Sequence, residues 1–260
     1  MIETSPETRL AREREHFDRV YAEEEKSEDL RLTDADKRRY ANPPADTIFS
    51  KEYYFHLLSP LKEKRILEIA CGNGVDACLA AHLGAHVFAY DVSPAAIDLT
   101  RKRAEQNGLA DRVHLQVCGE IEQAFAGEQF DAVMGFAALH HLNLNGLADR
   151  IRGRLKPGGV AVFAEPVVNS KTLDFVRRMI PYRPVEITED EQPLNDRAIM
   201  ELAKPFSRIR RREFECVSRV YPLFARYSKL VSAVFWIDSW LMRVKPLRRF
   251  ASVVVFALDN

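Results

Sequence analysis

The sequence predicts an α/β fold built on a doubly wound, mostly parallel sheet, and three observations carry that expectation. First, the apolar run Ile66, Leu67, Ile69 and Ala70 breaks at Cys71-Gly72-Asn73-Gly74. Apolar residues then return at helical spacing at Val75, Cys78, Leu79 and Leu83, so a buried strand passes through a tight turn into a helix. Second, strand-like stretches recur at 86–90, 113–117, 130–136 and 160–164 with helical segments between them. That alternation is the signature of parallel strands joined by crossovers. Third, residues 207–218 and 248–258 read as two more strands, the run from Phe250 to Leu258 being strongly β-prone.

The turn is where ligand chemistry is expected. Glycine admits a backbone with positive φ and lets a ligand approach closely. The helix that follows presents free N–H groups and a partial positive charge at its start. Glu68 lies inside an otherwise apolar strand, where a carboxylate is costly unless it is paired or aimed at a ligand.

Composition bounds the function. The 260 residues suit one large α/β domain with insertions, and 47% hydrophobic with 29% charged residues is an ordinary globular balance. Lys+Arg and Asp+Glu are both 38, so no global field favours nucleic acid. The distribution is uneven: twelve Lys/Arg face three Asp/Glu from Lys204 to Arg249, and twelve acids face nine bases in residues 1–40. Cys71, Cys78, Cys118 and Cys216 have no C-x-x-C spacing and read as reduced core residues, so no metal site is expected. With no signal-peptide pattern and no apolar run near the roughly 18 residues that span a bilayer, a soluble cytoplasmic protein is expected.

Taken in order, residues 6–30 are charged, with Leu10, Phe17, Val20 and Tyr21 at near-helical intervals, and read as an amphipathic helix. Asn42-Pro43-Pro44 breaks the chain. A short aromatic helix follows at about 50–58, carrying Tyr53, Tyr54 and Phe55. The second strand ends at Asp91, seventeen positions after Gly74, where an acid can accept hydrogen bonds from both hydroxyls of a ribose. Ser93 caps the next helix with Pro94 in its first turn, and Asn107-Gly108 ends it. Asp131 introduces the fourth strand, which runs on into Leu139-His140-His141-Leu142. Leu155-Lys156-Pro157-Gly158-Gly159 forms a turn before the fifth, which ends at Glu165-Pro166.

Two cofactor classes use such a glycine turn. Gly72-x-Gly74-x-x-Ala77 satisfies the spacing of nicotinamide and flavin enzymes. Leu67 to Gly74 resembles the first motif of class I S-adenosylmethionine-dependent methyltransferases, with Ala70 standing where that family has its first glycine. The Phe-Asp-x-Val strand with Leu-His-His-Leu after it and the Leu-Lys-Pro-Gly-Gly turn resemble the family's later motifs, in the family's order, and the likeness covers roughly residues 60–166. It implies a seven-stranded sheet with an antiparallel last strand and helical lid insertions. It implies S-adenosylmethionine as cofactor, held by Glu68, Ala70, Cys71, Gly72, Asn73, Gly74, Asp91, Val92, Gly135 and Phe136. Glu120 and Ile121 match the positions that receive the adenine, and Tyr21 on the leading helix would reach the methionine end.

The domain boundaries expected on this basis are a helical cap at 1–60, a cofactor-binding Rossmann-like core at 61–166, a substrate-lid insertion at 167–206 and C-terminal strands at 207–260. The insertion carries Phe175, Met179, Tyr182 and Arg183 and is too long for an ordinary loop. Within the last part an apolar helix at 222–243, bordered by arginines and lysines, suits core burial, a hydrophobic cap or dimer contact, or an anionic membrane surface.

The implied reaction is in-line attack of a substrate nucleophile on a sulfonium methyl, by O- or C-methylation of a small acceptor, hydrophobic or lipid-like. His140, His141 and Glu165 are the candidates for base or positioning work at the active edge. No Asn-Pro-Pro-Tyr-like motif follows strand four, which disfavours methylation of nucleic-acid bases. A non-catalytic binding module, with Ala70 as its support, and a nicotinamide-dependent oxidoreductase are the alternatives. The acceptor and the oligomeric state are not legible at this level.

Overall fold

The computed structural model describes residues 6–24, 29–169, 194–216 and 228–260. Phe175, Met179, Tyr182 and Arg183 of the expected lid, and the first residues of the expected apolar helix, lie outside the described residues. Helices α1 (Pro6–Glu24), α2 (Asp34–Ala41) and α3 (Ser50–Leu58) precede β1 (Arg65–Ile69). Then come α4 (Val75–His82), β2 (His86–Asp91), α5 (Pro94–Gln106), β3 (Val113–Val117) and β4 (Phe130–Phe136). A 3₁₀ turn at Leu139–His141, α6 (Leu147–Gly153), β5 (Leu155–Pro166), α7 (Asp196–Ala203) and β6 (Arg208–Phe214) follow. The chain ends with α8 (Ser228–Leu241), a 3₁₀ helix at Lys245–Phe250 and β7 (Val253–Asp259).

The seven strands form one sheet in the order β3-β2-β1-β4-β5-β7-β6. β7 runs antiparallel to both neighbours, and the remaining pairs are parallel. The chain winds outward from β1 through β2 to β3, then returns to lay β4 on the other side of β1. The carboxyl tips of β1 and β4 therefore flank the switch point, where open α/β sheets bind ligands. Asp131 fastens the opposite end: its Oδ2 accepts from Arg65 N at 2.8 Å and its Oδ1 from Lys156 Nζ at 2.9 Å.

Strand alternation sends side chains to two cores. Ile66, Val87, Ala89, Met134 and Val162 meet Tyr54, Phe55 and Leu58 of α3 and the small residues of α4. Leu67, Ile69, Phe88, Val133, Phe163 and Phe256 meet Leu147 and Ile151 of α6 and Ile199 and Leu202 of α7. By the same alternation Glu68 faces the α3–α4 side. α5 starts as its sequence dictates, Ser93 Oγ accepting from Ala96 N at 3.1 Å.

The structure corrects several expectations. Residues 248–250, expected as strand, end a 3₁₀ helix at Lys245–Phe250 whose first turn suits Pro246, with its fixed φ and no N–H. β6 stops at Phe214 because Glu215 takes a left-handed φ of 64°. Residues 155–159 belong to β5 itself: Phe130 pairs with Leu155, and the register shifts before Ala132 meets Val160. The sequence reading passed over α2, whose start is marked by Thr33 accepting from Asp36 N. Cys71 and Cys78 are buried, but Cys118 and Cys216 are partly exposed.

Phe163 and Phe256 pack across the β5–β7 pair with centroids 5.7 Å apart, both fully buried. Phe256→Ala should cost about 3–5 kcal/mol of unfolding free energy in urea titration. A cost near zero would mean that β7 is not docked in the sheet.

Candidate functional site

The chain leaves β1 through Ala70 (φ 52°), Gly72 (φ 53°) and Gly74 (φ 73°), all left-handed. Gly74 is required by packing as well as by φ, because a Cβ there would fall 2.4 Å from Thr100 Oγ1. An alanine in this conformation carries a penalty of roughly 1–2 kcal/mol. Ala137, one residue beyond β4, is also left-handed at φ 53°. Thus both strands at the switch point turn away sharply through strained alanines, and such strain persists where surrounding structure enforces it.

Asp91 stands across the crevice from this turn, nearly fully buried. Its Oδ2 accepts from Gly72 N at 3.0 Å and its Oδ1 from Ser93 N at 2.9 Å. Burial pushes its pKa up to about 6, against the backbone N–H groups of Ser93, Gly72 and Val92 that favour the ionised form. Each carboxylate oxygen retains a lone pair for a further donor.

A second polar cluster lies on the α3 side of β1. Glu68 is buried, and its Oε2 has no hydrogen-bond partner among the described residues. Burial, reinforced by the Asp76 charge, holds its pKa well above the carboxylate range. Asp76, at the start of α4, pairs with Lys51 Nζ at 2.5 Å. The Lys51 ammonium sits 5.3 Å from the centre of the Phe136 ring, and Asp76 raises its pKa in spite of burial. Tyr54 is fully buried, edge-on to Phe136 at 5.6 Å, and its hydroxyl also has no partner among the described residues. Burial, then the charges of Asp76, Glu68 and Glu165, push its phenol well above its usual pKa. Buried polar atoms without a partner cost roughly 1–3 kcal/mol each, so two of them beside one strand tip mark a place for a polar ligand group.

Helix α1 lies over the crevice. Asp18 Oδ1 accepts from Ser93 Oγ at 2.5 Å and Ala95 N at 3.3 Å. Glu24 accepts from Asn73 Nδ2 at 3.0 Å and pairs with Arg103, whose Nε donates to Asn73 O at 2.8 Å. Tyr21 rests on the glycine turn, its hydroxyl 2.7 Å from where a Cβ on Gly72 would be. Phe17 stacks on Tyr21 and meets the His141 ring edge-on at 5.3 Å. Leu10 covers Gly119.

The other sequence-derived candidates divide by environment. Glu165 is completely buried; its Oε1 accepts from Ala138 N at 2.9 Å and Leu139 N at 2.8 Å, and its Oε2 lies 2.9 Å from His140 Nδ1. It thereby caps the 3₁₀ turn and orients His140, whose ring lies 4.0 Å from that of His141. His141 Nδ1 is 3.9 Å from Glu13 Oε1 under α1. Ile121 is buried, whereas Glu120 is exposed and lies 4.0 Å from Arg150. Gly135 is a packing glycine, since a Cβ would press on Ala138 and Phe163 at 3.1–3.2 Å. Lys51, Tyr54 and Asp76 were missed by the sequence reading. The one signal was Glu68 itself, a strand carboxylate in need of company.

The donor set fits a cofactor with a ribose and a zwitterionic amino-acid tail. Asp91 is free to receive hydroxyls on its outer lone pairs, and Glu68 and Lys51 offer an acceptor and a cation below the turn. Because hydroxyls donate best to the ionised carboxylate, a nucleoside held by Asp91 would compete with a proton below its pKa of about 6. Affinity for S-adenosylhomocysteine should therefore be level above pH 7 and fall by up to tenfold per unit below pH 6. Calorimetry from pH 5 to 8 checks this, and a flat profile would remove Asp91 from the ribose.

Comparison with known proteins bears on the fold that carries this site. Residues 66–159 match the family model described as a methyltransferase domain. A ubiquinone biosynthesis O-methyltransferase of Cereibacter sphaeroides is 36% identical over 109 residues, 40% of this chain and 41% of that protein. The matches span from 25% to 55% of the length of such curated relatives. A protein described as a sarcosine dimethylglycine methyltransferase from Galdieria sulphuraria superposes with a TM-score of 0.59 at 16% identity, covering 94% of this chain and 97% of the other. Magnesium protoporphyrin IX methyltransferase of Synechocystis PCC 6803, solved with S-adenosylhomocysteine, gives 0.56 at 13% identity, covering 97% of this chain and all of the other. At those identities the structures show a shared fold alone. The match over residues 66–159 and the shared fold make this part of the chain similar to class I S-adenosylmethionine-dependent methyltransferase domains.

Proposed function

We propose that the chain is a methyltransferase that moves a methyl group from S-adenosylmethionine to the oxygen or carbon of a small hydrophobic or lipid-like acceptor. The observation that carries the reading is the pair of polar receptors flanking the switch point. Asp91 lies on one side of the glycine turn, and the Lys51–Asp76 pair with partnerless Glu68 Oε2 lies on the other. When bound, the cofactor supplies an electrophilic sulfonium methyl. Asp91 would hold the sugar, Ile121 would pack on the base, Lys51 would take the α-carboxylate and Glu68 would accept from the α-ammonium. Phe136, with the Tyr54 ring against it, would wall the cofactor beside β4 and keep water from the transfer path.

Glu165 is best suited to positioning. With its Oε2 accepting the Nδ1 proton of His140, Nε2 becomes the basic nitrogen of that ring. That is the arrangement needed to take a proton from an acceptor hydroxyl or acidic carbon. His141 is the neighbouring alternative.

The lipid-like acceptor is supported by the ubiquinone-pathway name of a curated relative and by the exposed apolar side chains of α8. That surface also underlies the membrane contact expected of residues 222–243. Incubation with methyl-labelled cofactor and prenylated or unprenylated phenols tests the acceptor class. Label in neither, with S-adenosylhomocysteine bound tightly, favours a non-catalytic module.

Lys51→Gln should weaken S-adenosylhomocysteine by about tenfold or more, the scale of a lost charge-assisted hydrogen bond. Its melting temperature should fall, because buried Asp76 loses its cation, while the variant still folds. Unchanged affinity in a folded variant would leave the tail without its cation.

A further inference from the structure

The face of α8 turned away from the domain exposes large apolar side chains. Inward, Phe235 packs on Phe49 with centroids 5.0 Å apart, Met242 is buried, and buried Asp238 accepts from Cys216 N at 3.0 Å. Outward, Ala233, Trp236, Ile237, Trp240 and Val244 fall at helical spacing on one stripe. Trp236 is 64% exposed, Trp240 57%, Ile237 47% and Val244 39%. Among the described residues, these make up four of the six exposed large hydrophobic side chains.

Cations border one end of the stripe. Arg243, Lys245 and Arg249 are exposed and form no ion pair among the described residues, while Arg248 is turned inward to Glu213 at 3.7 Å. The only acid of α8 is the buried Asp238. The stripe is also placed with respect to the site. β7 begins at Val253, paired with Phe214 and Pro166, so the chain between β6 and β7 leaves and rejoins the sheet at its carboxyl edge. That is the edge bearing Ala70, Asp91 and Phe136.

We propose that the Trp236–Trp240–Val244 stripe with Arg243, Lys245 and Arg249 docks on an anionic lipid surface and turns the carboxyl edge of the sheet toward the bilayer. Indole rings settle at the boundary between headgroups and acyl chains, and clustered cations add attraction to anionic lipid. Pairing of two copies through the same stripe would bring like cations together with no acid in the stripe to offset them. The proposal is independent of the methyltransferase reading. If true, it gives that enzyme a lipid-embedded acceptor within reach.

The chain has two tryptophans, and both lie on the stripe, so its intrinsic emission reports on this surface directly. The full chain is mixed with vesicles of phosphatidylcholine alone or containing phosphatidylserine. Docking predicts a blue shift and co-sedimentation with the anionic vesicles, reversed by high salt. Arg243→Ala and Lys245→Ala should each lower partitioning roughly fivefold. Trp236→Ser with Trp240→Ser should abolish partitioning yet leave S-adenosylhomocysteine binding intact. Equal binding to neutral vesicles, no binding, or undiminished binding of the serine variant would overturn the proposal. So would emission already blue-shifted in a concentration-dependent dimer without lipid.

Discussion

The structure depends on how two carboxylates are kept at the tips of adjacent parallel strands without water. Asp91 survives burial by taking backbone N–H groups from the glycine turn and from the start of α5. That arrangement ties β1, β2 and α5 into one rigid corner. Glu68 has no such support, and its neighbour Asp76 is already committed to Lys51. A carboxyl left in this state is destabilising in the empty protein. Its retention makes sense when a cation arrives to share it. Folding cost and binding function therefore meet in the same few atoms, as is common where strain and unsatisfied groups cluster.

The helices around the corner have separable tasks. α5 is fixed by Thr100 and Arg103 against the turn, so the left-handed residues have no freedom to relax. α3 contributes Lys51 and Tyr54 from the neighbouring face. α1 is different: it meets the core through side chains, among them Leu10, Phe17, Asp18, Tyr21 and Glu24, and covers what the others build. A cofactor reaching Gly72 has to pass the Tyr21 hydroxyl. Among the described residues no helix is long and apolar enough to cross a membrane, and the apolar excess is gathered instead on one face of α8.

What could be read from the sequence was local. The glycine turn, the Ser93 cap, the acid ending β2 and the two-residue alternation of the strands each act over a few positions, and all were legible. So was the antiparallel last strand, through the family likeness. The Lys51–Asp76–Glu68 cluster was not, because its members are joined only when α3 folds onto β1, and no spacing rule announces that contact. Glu68 signalled that a partner was needed without saying which. Glu165, ending a strand at the active edge, suited either substrate positioning or pairing with a neighbour. Its full engagement with the 3₁₀ turn depends on the left-handed Ala137, which no sequence pattern reveals. Residues 248–250 lie in a 3₁₀ helix ahead of β7, which a run of β-prone residues does not reveal.

The central claim is that the two polar receptors at the switch point are halves of one nucleoside–amino-acid site. A crystal structure of the full chain with S-adenosylhomocysteine tests it most directly. The account predicts ribose hydroxyls on Asp91, the tail ammonium at Glu68, the tail carboxylate at Lys51, and Tyr21 moved off Gly72. A ligand lying elsewhere, with Tyr21 still seated on the turn and Glu68 still without a partner, would contradict it.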